Sequence, residues 1–329
     1  MMKKLLGGLL ACLMMVSMSG CGSKEPETKN DVKTVGILIY ANHPALESAS
    51  KGLQNYLKEK GYDETKVKFV EKNAQNDNGT ADTIASQFAN EKVDMIYAIG
   101  TNAGLSAANA TLDTEIPVVF NAVTDAVDAK IVKSNKKPGG NVTGVSDAAP
   151  LEKQLELIRT MLPEAKTIGM IYNTGEPNGK LQVEQVKKLA GKYNFAIETQ
   201  GVSVSTDVAT AAEQLAGKVD CFYNITDNMI VNATASITDK ANAYKIPVFA
   251  AEDGQMEAGL LASDSISYEK LGEQAGAIAE DILFNGKKAG DFDIETASET
   301  SLIINRKVAD ELGIKIPAEL EKRATFYGE

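Results

Sequence analysis

Polar side chains in this sequence gather where short apolar runs stop. Six such stops carry residue types with chemical reach: Asn42-His43, Gly100-Thr101-Asn102, Thr124-Asp125, Tyr172-Asn173, Asp227-Asn228 and Glu252-Asp253. All are rich in Thr, Asn or acids, and none is basic. In open parallel sheets, ligands bind beyond the carboxyl ends of strands. Helix N-termini at those ends offer free N–H groups and a partial positive charge, which suit a carboxylate. Asp125, Asp227, Glu252 or Asp253 would pair with an ammonium group. The set therefore suits a zwitterion such as an amino acid. Each member alone would also serve as an ordinary helix cap, so the set carries more weight than any single residue.

Other chemistries find little support. The chain has no Gly-x-Ser-x-Gly elbow, no Gly-Lys-Ser/Thr loop and no Gly-x-Gly-x-x-Gly turn. Its single histidine, His43, has no ligand-type neighbours at metal spacing. We expect no enzyme activity, no cofactor and no metal. A net charge of −11 repels nucleic acid rather than recruiting it.

The elements that must position these residues follow from the stretch Val93 to Asp128. A short apolar strand (Met95–Ile99), a Gly-Thr-Asn turn, a small-residue helix and a second apolar strand (Pro117–Phe120) follow one another there. Continuous apolar runs separated by helix-length segments indicate a parallel sheet covered on both faces. The pattern then repeats. Val219-Asp220-Cys221 echoes Val93-Asp94-Met95, Ile246-Pro247-Val248 echoes Ile116-Pro117-Val118, and Lys166-Thr167-Ile168-Gly169 echoes Lys33-Thr34-Val35-Gly36, at offsets of 126, 130 and 133 residues. The sequence therefore predicts an α/β fold of two Rossmann-like lobes with parallel sheets, joined by a hinge, with function in the cleft between them. Lobe 1 is expected to span 33–145 plus 266–290, and lobe 2 to span 146–265 plus 291–329. Helix Ser267–Phe284 would return to the first lobe, and one long helix is expected over Met229–Tyr244. Asn42 is expected to cap the first helix.

The N-terminus carries its own signal. Lys3 and Lys4 precede an apolar run, Leu5 to Val16, that is short for a membrane span. Met18-Ser19-Gly20-Cys21 then resembles a bacterial lipoprotein signal, with residues 1–20 removed, Cys21 acylated and 21–32 a flexible tether. Cys221 would be left as a lone buried thiol.

The segments KTVGILIYANHPALESASKGLQNYL, IGTNAG, IPVVFNAVTDAVDAKIV, GGNVTGVSD, LEKQLELIRTMLPEAKTIGMIYN and LIINRKVADELGIKIP, behind that signal and Cys21, resemble one family. It is the substrate-binding lipoproteins of ABC importers whose best-known members bind tryptophan or other aromatic amino acids. The resemblance covers nearly the whole mature chain. It implies a type I periplasmic-binding fold, closure on a small-molecule ligand, an ABC permease and its ATPase as partners, and lipid anchoring on the extracytoplasmic face of the membrane. By motif position it carries ligand contacts to His43, Gly100-Thr101, Thr124-Asp125, Ser146-Asp147, Tyr172, Glu176 and Asn178. Two positions depart from the family: Ala126 stands where Pro is common, and Gly179 where Ser is common. With no Trp in the chain, stacking on a ligand ring would fall to Tyr40, Phe120, Tyr172, Tyr223 or Phe249, all in strands and so expected in the core. Rival readings are another solute, a nucleoside or sugar, and a surface adhesion or sensory protein.

Overall fold

The computed structural model describes residues 32–297 and 299–328. The expected signal segment, Cys21 and all but the last residue of the tether lie outside the described residues. In the first lobe, β1 (Lys33–Ile39), α1 (Pro44–Glu59), β2 (Val67–Asn73), α2 (Asn78–Asn90), β3 (Met95–Ile99), α3 (Thr101–Ala110), β4 (Val118–Asn121) and β5 (Val142–Ser146) follow in turn. The chain then crosses to a second lobe built from α4 (Leu151–Met161), β6 (Thr167–Asn173), α5 (Pro177–Ala190), β7 (Ala196–Val202), α6 (Val208–Ala216), β8 (Cys221–Asn224), α7 (Asn228–Asn232), α8 (Thr234–Ala243), β9 (Val248–Ala250) and β10 (Ala262–Ser265). Helix α9 (Tyr268–Leu283) and the two-residue strand β11 (Glu295–Thr296) return to the first lobe. Strand β12 (Ser301–Ile304), α10 (Arg306–Leu312), α11 (Ala318–Glu321) and β13 (Ala324–Phe326) end the chain on the second.

The two sheets run in the orders β11-β5-β4-β3-β1-β2 and β13-β12-β10-β9-β8-β6-β7. All pairs are parallel except β10 with β12. The central order of the first sheet, 2-1-3-4-5, recurs in the second as 7-6-8-9-10. Order reverses between β1 and β3 in one lobe and between β6 and β8 in the other, so each lobe opens a crevice beyond those carboxyl ends. The repeated Val-Asp pairs have a mechanical basis. Asp94, before β3, accepts a hydrogen bond from Thr34 N of β1 at 2.8 Å. Asp220, before β8, does the same for Lys166 N and Thr167 N at 2.6 and 2.8 Å. Each acid satisfies the first N–H groups of the neighbouring strand and sets its register.

Apolar strand side chains fill two separate cores, one per lobe. Phe120 is buried in the first, and Tyr223 and Phe249 in the second, as their strand positions required. Helix α9 adds Tyr268, Leu271, Ala275 and Ile278 to the first core. It lies against α1 through glycine: a Cβ on Gly272 would meet Ala49 O at 2.3 Å, and one on Gly52 would meet Glu269 O at 2.2 Å.

Three expectations need correction. The last crossing lies after Thr296, not at Asp291, because Glu295 and Thr296 still pair with Val145 and Ser146 of the first sheet. The long helix expected over Met229–Tyr244 is two, divided at Ala233, where the Thr234 hydroxyl turns back onto Ile230 O and Val231 O. Helix α1 is entered from an extended His43 with no side-chain cap; Asn42 is exposed and caps nothing there.

Candidate functional site

Both crevices face each other, and the polar strand ends meet between them. On the first lobe, Gly100 takes φ 101° at the start of α3, a backbone conformation that glycine adopts without strain. Thr101 follows it, with Oγ1 buried and without a partner among the described residues. Asn102 donates to Tyr40 Oη at 3.0 Å and to Asn78 Oδ1 at 2.8 Å, and Tyr40 Oη lies 2.9 Å from Asn78 Oδ1. Burial pushes the Tyr40 phenol up to about 12, with Glu176 and Asp227 of the other lobe adding to the rise. His43 makes the direct bridge: its Nε2 lies 3.1 Å from Asn228 Oδ1.

On the second lobe, Glu176 is wholly buried. Its Oε1 accepts from Asn173 Nδ2 and Met229 N, both at 3.2 Å. Its Oε2 accepts from Asn178 Nδ2 (3.4 Å), Asn228 N (3.1 Å) and Asn228 Nδ2 (2.5 Å). With five donors on two oxygens, Glu176 is a strut that ties the β6–α5 loop to the start of α7. Asp227 caps α7 through Ile230 N at 3.2 Å and holds Asn173 N at 2.6 Å. Burial, then Glu176, raises its pKa well above the carboxylate range. Asp227 needs Gly179: a Cβ there would lie 2.4 Å from Asp227 Oδ2. The departure from Ser at 179 thus makes room for the Asp227 carboxylate. Asn178 Nδ2 reaches Thr226 O at 2.7 Å, leaving Oδ1 buried and unpartnered. Glu252 accepts from Gly254 N at 2.9 Å through Oε2, while Oε1 is buried without a partner. Burial pushes its carboxyl up to about 7; Asp253 beside it is raised for the same reason.

Between the lobes, Asp147 follows β5 as the chain crosses. Its two oxygens take Thr124 Oγ1 (3.0 Å) and Tyr268 Oη (2.8 Å), linking the first crossing to the helix that begins after the second. Burial raises its pKa. Ser146 Oγ donates to Thr124 O at 3.0 Å.

The structure thus brings together His43, Gly100, Thr101, Asn102, Asn173, Glu176, Asn178, Asp227 and Asn228, with Glu252 beside the start of α1 and Thr124, Ser146 and Asp147 at the crossing. Besides the exposed Asn42, two residues stand apart. Asp125 is half-exposed, and its carboxylate accepts from Val127 N and Asp128 N at 2.9 and 3.0 Å, closing its own turn. Tyr172, one residue out of phase with Asn173 on a period-two strand, lies over Gly201 of β7. Sequence reasoning passed over Asn78, Gln255 and Tyr268. Gln255 Oε1 binds Asn224 Nδ2 (3.0 Å) and Thr234 Oγ1 (2.7 Å), and its Nε2 is buried and unpartnered. Its place three residues beyond Glu252, in a tight turn of Asp253–Ala258, was the available signal.

Residues 34–327 match the protein family described as ABC transporter substrate binding protein. The chain is 43% identical over 315 residues to a tyrosine-binding protein of Clostridioides difficile (strain R20291), spanning 92% of this chain and 90% of that one. Among solved structures it is similar to an ABC domain in complex with L-Trp from Streptococcus pneumonia, at 35% identity and TM-score 0.86. It is also similar to the ligand-free, open structure of a substrate binding protein with adhesive properties from Clostridium difficile, at 40% identity and TM-score 0.70. Each of these two alignments covers 90% of this chain and 99% of the other. The neighbour closer in sequence is the less superimposable.

Proposed function

The chain belongs to the family of ABC transporter substrate-binding proteins, and from that premise we propose that it captures an aromatic amino acid between its lobes and delivers it to a permease. One observation carries the ligand assignment: Thr101 Oγ1 on one lobe and Glu252 Oε1 on the other are buried polar atoms without hydrogen-bond partners among the described residues. The residues gathered there are acids, amides, hydroxyls and the His43 imidazole. In this reading Thr101 and the first N–H groups of α3 hold the ligand carboxylate, and Glu252 with Asp227 faces the ammonium. Ser146, Asp147 and Thr124 form the hinge side of the site. The aromatic class rests on what the two similar proteins are named for, tyrosine in one and L-Trp in the other. Closer superposition on the L-Trp complex than on the open relative supports reading this arrangement as the closed state.

Calorimetric titration of the chain with L-tyrosine, L-tryptophan, L-phenylalanine, L-leucine, galactose and a nucleoside tests the assignment. Saturable heat is expected for at least one aromatic amino acid. Heat from the sugar or nucleoside alone would overturn the ligand class.

The anchor is proposed on sequence grounds: acylation of Cys21 would hold the lobes at the outer face of the membrane. Fatty-acid labelling is expected in the native chain and lost in Cys21→Ala; labelling retained in the variant refutes the anchor. Adhesion is a second reading, favoured by the adhesive properties named for the Clostridium difficile relative.

A further inference from the structure

His43 is the sole histidine in the chain, and the hydrogen bonds around it determine where its proton sits. Each Glu176 oxygen already accepts a backbone N–H, from Met229 on one side and Asn228 on the other. Glu176 is therefore an acceptor toward the Asn228 side chain, which must turn its NH2 group to Oε2 at 2.5 Å. The Asn228 carbonyl is then left pointing across the cleft at His43 Nε2, 3.1 Å away. A carbonyl can only accept, so Nε2 must carry the imidazole proton. Nδ1 is left with a lone pair, buried and without a partner among the described residues, on a residue 6% exposed.

We infer that Glu176, acting through Asn228, fixes His43 as the Nε2–H tautomer, so that the imidazole latches the lobes by Nε2 and presents Nδ1 as an acceptor to a donor on the bound solute. The inference rests on the closure reading above and adds a requirement to it: the solute must bear an N–H or O–H at that point, and His43 must be neutral. Glu176 is a positioning residue in this scheme, not a ligand contact. Glu176 and Asp227 lie behind Asn228; Tyr40 stands on the His43 side; Glu252 and Asp253 lie on the turn that touches α1, and Glu47 is in the first turn of α1 itself. Burial nevertheless dominates and pushes the His43 imidazole down to about 4.

The sign follows. A free, open cleft exposes His43, whose ordinary pKa is about 6.5. Closure then expels a proton at mildly acid pH, and affinity falls as pH drops below that value. Between pH 7.5 and 5.5 the loss due to this group is about tenfold.

The test uses the full-length chain carrying ¹⁵N-labelled histidine, with L-tyrosine and L-tryptophan as probes. In the complex the single imidazole should show the Nε2–H tautomer and resist protonation through pH 5, and Glu176→Gln, which frees the Asn228 amide to turn, should let the Nδ1–H tautomer appear. Affinity of the native chain should fall about tenfold from pH 7.5 to 5.5. His43→Gln keeps an amide donor for Asn228 but cannot titrate, so its change over the same range should be smaller by that factor; melting of each variant verifies folding. An Nδ1–H tautomer, or parallel pH profiles for the native chain and His43→Gln, overturns the inference. If neither probe binds, the ligand class fails separately, and galactose and the nucleoside take the probes' place under the same tautomer and pH criteria; a chain that closes on none of them overturns the latch together with the closure reading.

Discussion

At the scale of single residues, the cleft separates side chains already used by the fold from those with capacity to spare. Glu176 and Asp125 are used: one carries five donors across the second lobe, the other closes its own turn. Thr101 and Glu252 are not, since each keeps a buried polar atom without a partner. Sheltered hydrogen bonds to charged groups contribute roughly 1.5–3 kcal/mol, about one to two decades of affinity. Thr101→Val and Glu252→Gln are therefore each expected to weaken calorimetric affinity by about ten- to a hundredfold, while Asp125→Asn leaves it within about twofold. The same Glu252 gives a pH signature in the closed arrangement. Its folded pKa, raised to about 7 by burial, means the folded state holds a proton that the unfolded chain releases near pH 4.3. Its stabilising contribution is complete below that pH and is lost as pH rises through 7. The loss is at most about 3–4 kcal/mol. Melting should fall across this window in the native chain and change less in Glu252→Gln; equal slopes would refute the assignment.

At the scale of elements, the contact between α1 and α9 holds the return crossing. Glycine at 52 and 272 lets the two backbones touch, and any Cβ there meets a carbonyl oxygen at 2.2 or 2.3 Å. Backbone cannot yield as a side-chain end does, so Gly272→Ala is expected to cost about 1–3 kcal/mol through overpacking. Denaturant midpoints check this, and a change under about 0.5 kcal/mol, the range of neutral surface substitutions, would contradict it. The sequence marked α9 by its helical pattern and its Ser267 cap, which does accept Lys270 N at 3.3 Å. It did not mark the break at Ala233, because nothing local to that stretch signals a stop. The turn of Thr234 onto Ile230 and Val231 is completed by Gln255, 21 residues away.

At the scale of the whole molecule, two lobes of like strand order meet over a cleft crossed by three chain segments. Asp147, Thr124 and Tyr268 tie the first two crossings together through buried hydrogen bonds. Ligand closure requires contacts that exist only when the lobes meet, and His43 with Asn228 is one such contact. Small-angle scattering should give a smaller radius of gyration with a saturating aromatic amino acid than without it. An unchanged radius at saturation would rule out hinge closure as the response to ligand.

Most of the architecture was legible in the sequence alone. Continuous apolar strands, ordered echoes near 130 residues and polar strand ends follow from local requirements: a doubly covered strand must be apolar throughout, and a helix start needs polar caps. The Val-Asp echo was legible for the same reason, since each acid serves the first N–H groups of its neighbouring strand. What each polar residue faces was decided only by the tertiary structure. Asp125 and Asp227 read alike in sequence, yet one is half in solvent closing a turn and the other sits wholly buried against Gly179. Tyr172 and Asn173 are neighbours in sequence that a pleated strand sends to opposite faces. The His43–Asn228 contact joins residues 185 apart; no spacing encodes it, because it exists only once the two lobes are brought face to face.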